Sequence, residues 1–204
     1  MDQQALQTLL DTLISGWENE VVEFKRASKD YNTEDIGRYF SALANEANLR
    51  NQERGWLVFG VDNKTRQVVG TDYRQEPERL HSLKMQISQA TEPSITLRNI
   101  HELHNPAGRV LLLEIPAAPL GMPIAWKGHY HARAGESLTH LGLDKLDELR
   151  GQVGASDWSA QWVAAATLNH FDPAALKQAR ASFARKYANR FPEQEVMAWS
   201  DAVF

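Results

Sequence analysis

The chain has 204 residues, of which 43% are hydrophobic and 24% charged, and its net charge is −4. At this length a chain buries about 70% of its unfolded surface, so one domain, or one domain with an appendage, folds without covalent staples. With no cysteine, a disulfide framework, a thiolate zinc site, an iron–sulfur cluster and a cysteine nucleophile are excluded. No run approaches the roughly 18 consecutive apolar residues of a membrane span. The first fifteen residues lack a basic start and carry Asp2 and Asp11, so they do not read as a signal peptide, and a cytoplasmic location is expected. The acidic balance gives no bulk signal for a nucleic-acid binder, which leaves a local basic patch as the route to such a function.

Leu6, Leu9, Leu10, Leu13 and Ile14 recur at helical spacing over 3–15, and Gly16 ends the run. Val21 to Lys25 reads as a short strand. Thr33 before Glu34 and Asp35 reads as a helix N-cap, followed by an apolar face of Ile36, Tyr39, Phe40, Leu43, Ala44 and Ala47. The glycine-bounded apolar run 55–61 predicts a buried strand. Residues 62–65 predict a turn, and 67–70 a returning hairpin strand. A helix is expected at 76–90 and strands at 94–101 and 109–115. A hairpin turning at Lys127-Gly128 is expected over 124–134. Helices follow at 143–150, 157–167, 173–188 and 193–204, with Asp172-Pro173 as a capped start. This order describes an α+β body over 1–140 and a helical extension over 141–204 that leads into a downstream region.

The cluster Glu18-Asn-Glu20-Val-Val-Glu23 is the first candidate for chemistry. On a strand, Val21, Glu23 and Lys25 share one face, and Val22, Phe24 and Arg26 the other. A carboxylate two residues from a lysine suits a divalent ion beside a phosphate, and solvated charges at a strand end give the same pattern. Asp62 ends an apolar strand, where open sheets place functional groups, or it caps its own turn. His129 and His131 share a strand face that offers a metal or a phosphate contact, but two histidines without a third ligand make a poor zinc site, and structural or surface roles are the expectation. Lys177, Arg180, Arg185, Lys186 and Arg190 make the 173–190 helix basic. Trp126, next to Lys127 at a hairpin tip, is a candidate for base stacking. No P-loop, G-x-G-x-x-G or G-x-S-x-G motif occurs, so the chain carries no ATP site of its own.

Taken together, residues 18–25 (ENEVVEFK), Ser41-Ala-Leu-Ala-Asn45, Gly55 to Asp62, Val69-Gly70 and His131 to Ser137 resemble the Schlafen-type AlbA-2 domain over about residues 15–140. The tail resembles the segment after this domain in bacterial ATP-binding transcriptional regulators, whose ATP-binding part would lie beyond Phe204. The resemblance implies a mixed, mostly antiparallel sheet with packed helices. It also implies a divalent-metal-dependent endoribonuclease acting on structured RNA such as tRNA. Glu18, Glu23 and Asp62 would be the catalytic residues and would hold Mg²⁺ or Mn²⁺. Lys25, Arg26, Lys29, Lys127 and Arg133 would contact the nucleic acid. The alternative it implies is a non-catalytic DNA-binding module of a transcriptional regulator. Arg54-Gly55 replaces the family's paired glycines, and a single lobe would enclose RNA only as a homodimer.

Overall fold

Between Phe40 and Asn48 every side chain is buried, polar ones included, so the helix that carries them is packed on several sides. In the computed structural model this helix, α2 (Thr33–Leu49), lies between two sheets. The structure describes residues 1–16, 20–153, 167, 170 and 172–187. The chain divides into two compact units, Met1–Asp157 and Trp158–Phe204. The N-cap of α2 is Asn32, one residue before the threonine expected from sequence, and its side chain accepts from the Glu34 N–H at 2.9 Å. Glu34 and Asp35 in the first turn complement the helix dipole.

The first sheet has the order β1-β2-β5-β4. Strand β1 (Val22–Lys25) runs parallel to β2 (Arg54–Phe59), with α2 as the crossover. Strands β4 (Asn99–Asn105) and β5 (Gly108–Pro116) complete it by antiparallel pairing. Alternation sends Leu57, Phe59, Leu111, Leu113 and Ile115 toward α2 and toward α3 (Pro77–Ala90). Phe24, Trp56, Val58, Val110 and Leu112 go to the opposite face, where Leu6 and Leu10 of α1 (Gln3–Ser15) cover them. Because it is covered on both faces, β5 is apolar from Val110 to Leu113. Glu114 is buried beyond that cover, held by Arg54 at 2.7 Å, Asn99 at 3.0 Å and His101 at 3.2 Å.

The second sheet has the order β3-β6-β7-β8, from β3 (Thr91–Glu92), β6 (Ala125–Trp126), β7 (His129–Ala134) and β8 (Ser137–His140). Lys127 and Gly128 have φ of 48° and 79°, which fits the primed turn that right-handed strand twist prefers. Polar groups of α2 dock this sheet. The Ser41 hydroxyl donates to the Ile124 carbonyl at 2.7 Å, and the Asn45 amide donates to the Ile124 and His131 carbonyls at 3.0 Å. Gly37 allows the approach, because a Cβ there would stand 2.1 Å from the Trp126 ring. Helix α4 (Leu143–Gly151) ties on through Lys145, 2.5 Å from the buried Glu46.

The fold is α+β with mostly antiparallel pairing. Three expected elements differ. Residues 67–70 form only a bridge between Val61 and Val68, because the Val69 and Gly70 N–H groups both turn to the Gly60 carbonyl. The strand expected at 94–101 begins at Asn99, since the Ile95 N–H bonds instead to Thr91 at the end of α3 and the Thr96 hydroxyl to the Lys84 carbonyl within it. Strand β8 has no counterpart among the elements expected from sequence.

In the second unit, α5 (Pro173–Tyr187) starts as expected, with Asp172 accepting from the Ala174 N–H at 2.8 Å. The helices expected at 157–167 and 193–204, and Arg190, lie outside the described residues. Among the described residues no helix is long and apolar enough to cross a membrane.

Candidate nucleic-acid interface

Parallel strands deliver their following loops to the same edge of a sheet. After β1 comes Arg26-Ala-Ser-Lys-Asp30, and after β2 comes Asp62-Asn-Lys-Thr-Arg66, so four cations and two carboxylates are placed in two neighbouring loops. The loops meet where Nε and Nη2 of Arg26 both lie 2.6 Å from Asp62 Oδ2. The other oxygen of Asp62 closes its own turn. It accepts from the Lys64 and Thr65 N–H groups at 3.1 and 2.8 Å and from the Thr65 hydroxyl at 2.9 Å. The Thr65 backbone first, and Arg26 next, hold the Asp62 carboxyl well below the usual carboxylate range. Asp62 is therefore the anchor of a basic corner. The Arg26 side chain stays 73% exposed, and Lys29 and Lys64 are exposed in the same two loops. Exposed cations gathered at one corner suit phosphate neutralisation.

A cleft of about 420 Å³ adjoins this corner, lined in part by Glu20, Glu23, Arg50, Asn63, Arg66 and Arg133. Glu23 is only 2% exposed. One of its oxygens lies 2.7 Å from Lys25 Nζ, and the other pairs with the Arg133 guanidinium. Arg133, 4% exposed, also donates to the Gly135 carbonyl at 3.2 Å, and its backbone N–H donates to Glu46 at 3.1 Å. Glu20 accepts from the Gly135 N–H at 3.0 Å and pairs with Arg50. Burial opposes the charge on Lys25, yet hydrogen bonds to Glu23 and Tyr39 outweigh it and raise its pKa. Buried acids and bases alternate here, so each charge has a partner.

Of the residues singled out in the sequence, Glu18 lies outside the described residues. Glu23 and Asp62 are engaged by different cations, Arg133 and Lys25 for one and Arg26 for the other. Among the described residues no group of three potential metal ligands is gathered. Hard carboxylate oxygens suit Mg²⁺ or Mn²⁺ in type, but Glu23 and Asp62 already spend theirs on cations and turn N–H groups, and as placed they do not fit such an ion.

Arg133, expected to contact nucleic acid, is an interior group. Lys127 is exposed at its turn, 2.5 Å from Glu34, and this bond holds the Glu34 carboxyl below its usual range. Trp126 does not offer a face for base stacking: it is 3% exposed, and its Nε1–H donates to Glu34 at 2.7 Å. Arg50 and Arg66 were missed by sequence reasoning. Their signal is a basic residue just past α2 and another just past the Asp62 turn, which reads as ordinary surface charge until the loops converge.

A family model described as Schlafen, AlbA_2 matches residues 18–142. No curated protein matches the chain. The crystal structure of the DIP2311 protein from Corynebacterium diphtheriae is similar in fold, with a TM-score of 0.51 and 20% identity over 94% of this chain. The match spans only 36% of the DIP2311 chain. The N-terminal domain of a protein related to the ATP-dependent DNA helicase RecG, from Nitrosomonas europaea, matches with a TM-score of 0.44 and 22% identity. That match covers 67% of this chain and 92% of that domain.

Proposed function

The chain belongs to the Schlafen, AlbA_2 family, and from that premise we propose that it binds nucleic-acid phosphates through the loops after β1 and β2, without cleaving them. The observation that supports this most is the Arg26–Asp62 contact, which joins two loops that carry the exposed cations Arg26, Lys29 and Lys64 in a chain of net charge −4. Cations in such a patch displace condensed counterions from the strand, which supplies affinity independent of sequence. The paired cleft behind it fixes the loops rather than reacting. This is the behaviour of a DNA-binding module of a transcriptional regulator.

The test is binding of a labelled DNA duplex across a salt series in EDTA. Binding is expected to weaken steeply with salt. A Lys29→Gln/Lys64→Gln variant is expected to lower the slope of log K against log salt by about two, one for each phosphate left without its cation. An unchanged slope, or no binding at low salt, would overturn the proposal.

A metal-dependent endoribonuclease acting on structured RNA such as tRNA is the second reading. It is favoured by the presence of Glu18, Glu23 and Asp62 within or at the edge of the matched residues. It requires Arg133 to release Glu23 and Arg26 to release Asp62, so it predicts a measurable rearrangement on addition of Mn²⁺.

A further inference from the structure

A second cleft, of about 380 Å³, opens between α2 and the β7–β8 pair, lined in part by Glu34, Arg38, His129, His131, Thr139 and His140. The β7–β8 register sets His131 directly opposite His140, and their rings stack 5.7 Å apart at 24°. His129, two residues from His131, shares that face. From α2, Arg38 enters the same cleft. Its contacts with Glu34 at 3.9 Å and Asp35 at 3.7 Å are long and exposed, so they hold its guanidinium weakly. Glu34 is the carboxylate in the lining, and it is committed to the Trp126 Nε1–H and to Lys127. The cleft thus collects three imidazoles and a guanidinium against one acid that is already spent.

We propose that this cleft is a second phosphate site, in which protonated His131 and His140, with Arg38, hold a phosphodiester of a bound nucleic-acid strand. Two stacked imidazoles repel once both are charged, and an anion shared between them removes that repulsion. Burial first, then His140, Arg38 and His129, keep His131 below its usual value of 6.5, with Glu34 acting the other way. A bound phosphodiester opposes those neighbours and favours the protonated ring. Phosphodiester binding therefore takes up protons, and affinity rises as the pH falls. The inference rests on the nucleic-acid reading above, but it concerns residues separate from the basic corner.

The experiment is fluorescence anisotropy of the intact chain with a labelled ten-residue oligothymidylate, at pH 7.5 and 5.5 and constant ionic strength. A gain of about tenfold is expected at the lower pH, since binding is coupled to proton uptake by His131. In an Arg38→Gln/His140→Gln variant the gain between the two pH values should vanish. The ring protons of His131 should titrate at higher pH when the oligonucleotide is present. A gain that persists in the variant, or no gain in the natural chain, would overturn the inference. Loss of binding at pH 7.5 with the acid gain intact would instead overturn the basic-corner reading alone.

Discussion

Arg133 on β7 pairs with Glu23 on β1, joining the second sheet to the first across a buried contact. Both side chains are almost wholly enclosed, at 4% and 2% exposure. Removing Arg133 leaves one oxygen of the buried Glu23 without its cation, with Lys25 on the other. Arg133→Met is therefore expected to destabilise the fold by about 3–5 kcal/mol, and adding Glu23→Gln should recover part of that loss. Urea denaturation of the two variants checks this. A loss in Arg133→Met no larger than that of a surface substitution would contradict it.

Gly37 sits beneath Trp126. A methyl group there would stand 2.1 Å from the indole, so the ring or α2 must move. Gly37→Ala is expected to cost about 1–3 kcal/mol through overpacking, despite the better helix propensity of alanine. Thermal unfolding should show a lower midpoint, and an unchanged or raised one would mean that the indole relocates freely.

Stability should fall with acid in two stages. His131 has a folded pKa below its ordinary 6.5, so its contribution is present above 6.5 and is lost as pH falls through the folded value. Asp62 and Glu114 have folded values below their ordinary 3.8 and 4.5. Their contribution is present above those values and is lost as pH falls through the lower folded ones. Lys25 has the opposite sign: its raised pKa adds stability below 10.5 that is lost as pH rises through the folded value. Urea midpoints across pH 3 to 7 should show both stages, with the lower one reduced in Asp62→Asn. A flat profile down to pH 3 would contradict this.

The elements with local signals were legible in the sequence. The heptad-like leucines of α1, the glycine-bounded run of β2 and the Lys127-Gly128 turn are each set by a few adjacent residues. The central place of α2 was only partly legible. Ser41, Asn45 and Glu46 look like a polar face, and they are buried because the second sheet side presents carbonyls and an N–H to them and α4 presents a lysine. Strand β8 carries no apolar alternation, since its pairing with β7 rather than its side chains holds it. Glu23 and Asp62 stood out in the sequence as candidate site acids. What spacing does not carry is that each faces its own cation, a fact set by Arg133, 110 residues along the chain from Glu23, and by the converging loop of Arg26.

Phosphate binding without cleavage is tested most directly by one experiment with two readouts. End-labelled tRNA and a DNA duplex are incubated with the chain in EDTA, Mg²⁺ or Mn²⁺, beside a Glu23→Gln variant, and both binding and strand scission are followed. Salt-sensitive binding that is the same in EDTA as in metal, with no scission, is the expected result. Scission of tRNA that requires Mn²⁺ or Mg²⁺ and disappears in Glu23→Gln would contradict it.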